Sequence, residues 1–500
     1  MSSRSYADAV DHLNSLQSNA ATLDAVRASG GRLSTTAIPE MLEYLNRIGY
    51  AADDLNALHV IHVTGTKGKG STCAFTDSIL RHVKPEWKVG LYTSPHLVAV
   101  RERIRINGAP ISEVEFAKFF FEVWDRLDQN TERANPETPE KPMYFRFVTL
   151  VAYHAFLSLK VDATILEVGV GGMYDSTNIV PKPVVTGVSA LGIDHVGVLG
   201  KTLDQIAWQK AGIYKPGVPA LTVDQPEEGM KVLKERAAER EASEFIVVKS
   251  VPSLSSITLG LSGAHQHQNA TLAVSLARIF LQREGGVAPP PEDTLPEPYV
   301  KALERARWPG RCQTVVDPAH EQTVWFLDGA HTLESLDCCI QWFVGPRTAL
   351  RTEVASRPKR VLIFNCTAGR TGASFLKAMV SKVGEQLKAH GRAEDASQFF
   401  DRVVFCTNVT YASGSYKGDL TSKNVHEHEL TALTVQHELE AAWKSILPTY
   451  PADRIDVLPS VEHAVNAVRQ EEKPVDVLVA GSLHLVGGVI EVAGLASVAL

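Results

Sequence analysis

The sequence predicts an α/β protein of two units, each built on a mainly parallel sheet, the larger over residues 1–305 and the smaller over 306–500. Three observations carry this reading. From Leu58 onward, short β-branched runs alternate with helical patterns, LHVIHV, a glycine-rich turn, STCAFTDSILRHV, then KVGLYT, which is the rhythm of βαβ units. A stretch with five prolines, GVAPPPEDTLPEP at 286–298, then breaks the rhythm before it resumes. Finally, Gly65-Thr66-Lys67-Gly68-Lys69-Gly70-Ser71-Thr72 follows one strand pattern and opens a helix, which makes the larger unit P-loop-type.

The remaining elements follow in order. VDATILEV (161–168), PVVTGVS (183–189), VPALTV (218–223) and FIVV (245–248) continue the parallel strands, with helical stretches between most of them. The insert DQNTERANPETPEKP (128–142) has no apolar run and reads as a surface loop. Tyr144-Phe145-Arg146-Phe147 opens an apolar helix whose rings are expected in the core. Thr202 to Lys215 reads as a helix opened by a capping box, Thr202-x-x-Gln205. Past the proline-rich break, TVWFLDGA, RVLIFNC, RVVFCTN and VDVLVAGS supply the second sheet. Val475 to Leu500 is apolar but broken by Asp476, His484 and Glu491, so a strand, loop and helix are expected, not a membrane span.

Composition narrows the function. Across 500 residues, 44% are hydrophobic and 21% charged, ordinary for a globular chain. Fifty Lys and Arg against 57 Asp and Glu give a net charge of -7, which excludes nucleic acid as an expected partner. The N-terminus lacks a signal-peptide core and carries Asp8, unlike a transit sequence. Six cysteines without a CxxC suit free thiols in a reducing compartment. A cytoplasmic chain is expected, with no presequence evident for a mitochondrial pool.

Chemistry concentrates at predicted strand ends. The Gly65–Ser71 loop has the glycines and lysine that phosphate oxygens require, although Gly70 stands where a Walker A motif has Ser or Thr. Ser94-Pro95-His96, Glu167 and Asp194-His195 each fall just past a strand, and in a parallel sheet these ends share one edge. A hydroxyl, a carboxylate and an imidazole there suggest a Mg²⁺ site; His195 taken singly reads equally well as a loop residue. Lys210 shares the apolar stripe of Ile206 and Ile213, so it either snorkels to water or is buried and needs a partner. Arg101, Arg103 and Arg105 alternate along one strand, giving a basic face that meets an anionic substrate or simply a solvated edge. In the second unit, Arg311 precedes a strand and could neutralise a phosphoryl group.

Taken together, HVTGTKGKGST, TSPHLVAVRERIRING, LEVGVGGMYDSTN, LGIDHVGVLGKTLDQIAWQKAGIYKPG, HQHQNATLA, WPGRCQ and LDGAHT resemble the eukaryotic folylpolyglutamate synthases, within the Mur ligase superfamily. The likeness is dense from about residue 6 to 345, and includes the opening YADAVDHLNSLQSNAATL. It implies ATP-dependent addition of L-glutamate to the γ-carboxylate of reduced folates and their polyglutamates through an acyl phosphate. It further implies an ATP-binding, Mur ligase central-type unit with the folate site, and a Rossmann-like C-terminal unit contributing to ATP and glutamate binding. By the same resemblance Gly65, Thr66, Gly68, Lys69, Gly70 and Ser71 hold ATP, joined by Asn269, Arg311, Asp328 and His331. Ser94, Glu167 and His195 match Mg²⁺ ligands. Lys210 matches a lysine that related ligases carbamylate, which would serve a second Mg²⁺, although Gln209 stands where many bacterial relatives have Glu. Lys69, Lys210, His195 and Arg311 are thus the implied catalytic set, a monovalent cation a further implied cofactor, and a monomer the implied state. Dihydrofolate synthase, which takes dihydropteroate, and a P-loop ATPase that joins nothing are the rival readings.

Overall fold

The computed structural model describes residues 4–18, 36–288, 290–291, 294–351, 357–366, 372–421 and 430–500. The chain separates into two compact units, one of Met1–His96, Val100–Gly260 and His265–Arg307, the other of Leu97–Ala99, Leu261–Ala264 and Trp308–Leu500. A single cut at 305/306 misses the two short segments that group with the second unit. The reason is packing: Leu97 and Val98 are buried in the same cluster as Val315, Val486 and Val489.

In the first unit the strands are β1 (Val60–Thr64), β2 (Val89–Tyr92), β3 (Ile104–Ile106), β4 (Ala109–Pro110), β5 (Ala163–Glu167), β6 (Val185–Val188), β7 (Ala220–Thr222) and β8 (Phe245–Val247). Their order is β4-β3-β2-β5-β1-β6-β7-β8. From β2 to β8 every pairing is parallel, while β3 and β4 are antiparallel. Central β1, with all five residues buried, reads as an almost unbroken apolar run, as expected of a strand covered on both faces. Helix Lys69–Val83 packs against helices Gln266–Arg283 and Glu297–Arg305. A separate aromatic core gathers Phe116, Phe120, Phe147 and Phe156, with Tyr144 and Phe145 partly buried against it. The expectation for the Tyr144–Phe147 rings holds in that form.

Local signals explain several helix starts. Ser5 with Asp8 and Ser112 with Glu115 form capping boxes. Thr202 does not: helix Leu203–Lys210 has no side-chain cap from Thr202, because Gln205 Oε1 instead accepts from the Lys201 N–H at 2.8 Å. The helix also stops earlier than expected, passing into a short 3₁₀ turn at Ala211–Ile213.

The second unit holds β9 (Gln313–Val316), β10 (Thr323–Leu327), β11 (Lys359–Phe364), β12 (Arg402–Cys406), β13 (Ile455–Leu458) and β14 (Val475–Ala480), ordered β13-β12-β11-β14-β10-β9. Only β9 runs antiparallel. Asp476, 1% exposed in central β14, is held bidentately by Arg351 at 2.6 Å on each oxygen, the pairing a buried charge needs. Val475 to Leu500 forms that strand and helices Leu483–Val492 and Ala496–Ala499. Among the described residues, no helix is long and apolar enough to cross a membrane. All six cysteines are free thiols.

Candidate functional site

Because β1 lies between β5 and β6, the loop leaving it sits at the middle of the sheet's carboxyl edge. Gly65 (φ +149°) and Gly68 (φ +84°) shape that loop. A Cβ on Gly65 would stand 1.9 Å from Ser189 Oγ, and one on Gly68 would stand 2.0 Å from Asn269 Oδ1, so both positions require close backbone approach. The N–H groups of Thr66 and Lys67 are tied to the Ala190 carbonyl at 2.9 and 3.0 Å, and the Thr66 hydroxyl donates to Gly192 O at 3.0 Å. Helix Lys69–Val83 then begins, its first backbone bond running from Thr72 N to Gly68 O. The N–H groups of Lys69, Gly70 and Ser71 therefore point out of the first turn without intrahelical acceptors, a cradle for anionic oxygen.

Two lysines converge on one carbonyl in this loop. Lys69 Nζ donates to Gly65 O at 3.0 Å, and Lys210 Nζ donates to the same oxygen at 2.7 Å. Lys210 is only 3% exposed, so it does not snorkel. Burial, then the neighbouring Lys69 charge, holds its ammonium well below the usual lysine range. Lys67 is paired with Asp194 at 3.2 Å.

The strand-end residues are brought together in part. Ser94, after β2, donates its N–H to Glu167 Oε2 at 3.0 Å, and Glu167, at the end of β5, is 4% exposed. His195, after β6, has an exposed side chain and a left-handed backbone (φ +50°) whose N–H donates to Asp194 Oδ1. Among the described residues there is no group of three His, Cys, Asp or Glu side chains placed to hold a metal. The basic face at Arg101–Arg105 is not a solvated strand. Val100–Arg103 is a 3₁₀ turn, β3 covers only Ile104–Ile106, and Arg103 and Arg105 are buried.

In the second unit, Asp328 directly follows β10 and is 6% exposed. Its Oδ2 accepts from the Cys312 N–H at 2.7 Å and the Cys312 thiol at 3.1 Å, while Oδ1 accepts from the Ala330 N–H at 2.8 Å. Arg311, partly buried, donates to Gly310 O at 3.0 Å, and Gly329 leaves room for it, since a Cβ there would stand 2.9 Å from Arg311 Nη1. His331 Nδ1 lies 2.9 Å from Gly329 O and therefore carries the proton in that bond.

Several neighbours escaped the sequence reading. Ser189 bonds the carbonyls of Thr64 and Lys67, and Gln266 links Asn269 (2.9 Å) to Ser71 Oγ (3.4 Å). Only the Gln266-x-x-Asn269 spacing, one helical turn, signalled the second. Beneath the loop, buried His62 bonds the Thr177 hydroxyl at 2.9 Å, and that hydroxyl donates to Asp175 at 2.6 Å. Burial pushes His62 down to about 3, so the ring is neutral.

Known proteins resemble this chain in sequence and in fold. The folylpolyglutamate synthase of Saccharomyces cerevisiae (strain FostersO) is 43% identical over 504 residues, covering 98% of this chain and 87% of that protein. That of Neurospora crassa is 42% identical over 503 residues, covering 98% and 91%. Among solved structures, the Mycobacterium tuberculosis folylpolyglutamate synthase complexed with ADP superposes with a TM-score of 0.68 at 21% identity, covering 95% of this chain and 98% of that one. The apo form of the L. casei enzyme gives 0.63 at 22% identity, covering 95% and 99%. No protein-family model matches the chain.

Proposed function

This chain belongs to the folylpolyglutamate synthase family, ATP-dependent ligases that join L-glutamate to the γ-carboxylate of folates, and from that premise we propose how its residues divide the work. The observation that carries the proposal is the loop Gly65–Ser71, with outward N–H groups at a helix N-terminus and two lysines drawn onto Gly65 O. Gly68, Lys69, Gly70 and Ser71 hold the ATP phosphates, with Gly65 and Thr66 shaping the turn and Asn269 closing it at Gly68. Lys69 leaves Gly65 O for the transferring phosphoryl group and offsets its developing charge. Arg311, Asp328 and His331 form the nucleotide-side cluster of the second unit.

Glu167 and Ser94 offer hard oxygen donors on one buried carboxylate and one hydroxyl, leaving positions for water and phosphate, a set that fits Mg²⁺; His195 is a further candidate ligand. Bound there, Mg²⁺ would supply neutralisation of phosphate charge. Lys210, with its ammonium disfavoured by burial, presents an amine suited to carbamylation, and the anionic product would suit a second Mg²⁺. The residues' own work is to orient ATP and the folate carboxylate so that the carboxylate attacks the γ-phosphorus, forming an acyl phosphate and ADP. The amine of glutamate then displaces phosphate, and exclusion of water keeps the acyl phosphate from hydrolysis. A monomer working in the cytoplasm, with a monovalent cation as a further cofactor, completes the proposal.

The test is mass spectrometry of products from Mg-ATP, L-glutamate and either tetrahydrofolate or dihydropteroate, with ADP followed in parallel. A ladder of folates rising by one glutamyl residue is expected. Product from dihydropteroate alone would move the acceptor to that of a dihydrofolate synthase, and ADP without conjugate would favour an ATPase that joins nothing.

A further inference from the structure

Of the three arginines at Arg101–Arg105, two are engaged by the fold itself. Arg101 donates to Ile111 O at 3.2 Å; Arg105 donates to Glu102 O at 3.1 Å and Gly108 O at 3.2 Å. Arg103 differs. It is 8% exposed, its Nε donates to His96 Nδ1 at 3.0 Å, and its guanidinium lies 5.5 Å from the centroid of the Tyr144 ring. Among the described residues, neither terminal nitrogen has an acceptor and no carboxylate stands within ion-pair distance. An arginine in a largely buried place, held by its Nε alone with both terminal nitrogens open and no anion beside them, points to an anion that arrives from outside.

Its surroundings say where that anion sits. Arg103 O accepts from Thr93 N at 3.1 Å, and the next residue, Ser94, donates to Glu167, so the guanidinium lies at the same sheet edge as the proposed metal ligands. Arg103 ends the 3₁₀ turn just before β3, which is three strand positions from β1 and its phosphate loop, about 14 Å at roughly 4.8 Å per strand. That span leaves room for a phosphoryl group and one glutamyl residue between them.

We infer that Arg103 grips the α-carboxylate of the terminal glutamyl residue on the folate substrate, through its two terminal nitrogens, with His96 and Tyr144 orienting the fork. The inference rests on the ligase reading above. The α-carboxylate is the match because it stays anionic throughout the reaction, whereas a bidentate guanidinium on the γ-carboxylate would draw charge from the oxygen that must attack phosphorus. His96 accepts from Nε, which fixes the plane of the guanidinium, and the Tyr144 ring supports it by cation–π attraction.

Steady-state kinetics with a folate and with the same folate carrying an α-carboxamide on its terminal glutamyl residue test this. The unaltered protein should prefer the free acid by about 30-fold or more in kcat/KM, the scale of truncating one partner of a buried charge pair. Arg103→Gln should lose most of that preference, Arg103→Lys should keep part of it, and KM for ATP and L-glutamate should be unchanged in both. Equal use of acid and amide by the unaltered protein overturns the inference without any variant having to fold, as does an undiminished preference in Arg103→Gln. Absence of glutamyl product from any folate would instead overturn the ligase reading beneath it.

Discussion

The two units carry similar parallel sheets yet treat charge at the carboxyl edge in opposite ways. In the first, cations outnumber their partners: Lys69 and Lys210 share one carbonyl, and Arg103 has no carboxylate among the described residues. In the second, the edge carboxylate Asp328 is satisfied on both oxygens by donors of its own unit. An edge with more cations than carboxylates is open to an arriving anion; Asp328, already bonded on both oxygens, holds its own loop in place beside the nucleotide role proposed for it. Substitutions at the first edge should therefore show in turnover with little change in stability, and loss of the Asp328 carboxylate should show in stability in addition to any effect on nucleotide binding.

Lys69→Ala is the largest expected effect. Removing the loop ammonium that stands on Gly65 O should lower kcat by about 10²–10³-fold or more, the scale of losing a preorganised donor to a transferring group. ADP formation should fall with it while the unfolding midpoint stays close to that of the unaltered protein. Near-normal turnover would break the comparison at its strongest point. Lys210→Ala separates two roles: rescue of activity by added small carboxylic acids is expected if a carbamate normally stands there, and no loss of activity would leave Lys210 as a buried packing group.

Asp328→Ala comes next. It leaves the N–H groups of Cys312 and Ala330 and the Cys312 thiol without their acceptor in a buried place, which should cost about 3 kcal/mol at roughly 1–3 kcal/mol per unsatisfied donor. A lowered denaturation midpoint at unchanged m-value checks it. Loss of turnover at full stability would show that Asp328 serves the nucleotide alone and is not what holds the loop.

His62 tests the same idea beneath the phosphate loop. Its folded pKa lies near 3, below the ordinary histidine value of 6.5. Between those values the unfolded chain binds a proton that the folded one refuses, so stability rises with pH across that window and falls as acid is added. A His62→Gln variant should show a slope shallower by about 1.4 kcal/mol per pH unit between pH 4 and 6. An unchanged slope would mean that the ring is not held neutral.

Much of this was legible from local pattern. The strand rhythm, the glycine-rich loop that opens a helix after β1 and the place of Lys210 on the stripe of Ile206 and Ile213 all depend on spacing within a dozen residues, and the structure has each of them. What escaped depends on distant partners. Thr202-x-x-Gln205 has the letters of a capping box, but Gln205 turns to Lys201 instead. Arg101, Arg103 and Arg105 look equivalent in sequence; only the positions of Ile111, Gly108 and His96 decide which two are engaged by backbone and which one is left with charge to offer. Leu97 and Val98 sit in mid-sequence of the first unit, and nothing local announces that their side chains belong to the second core.

The smallest effect is the sharpest test of the second edge. Cys312 is 5% exposed and holds a left-handed backbone (φ +44°), where a Cβ normally costs about 1–2 kcal/mol. Its thiol offsets part of that by donating to Asp328 at 3.1 Å. Cys312→Ala keeps the strain and removes the bond, so it should destabilise by about 1 kcal/mol. Cys312→Gly removes both, and release of the strain should bring it level with the alanine variant or above it, although glycine ordinarily costs about 0.5–1 kcal/mol more than alanine within an element. Cys312→Ser, which keeps a donor at the same place, should fall nearest the unaltered protein. If glycine proves clearly worse than alanine, the left-handed backbone is not what Cys312 sustains, and Asp328 holds this loop without help from the thiol.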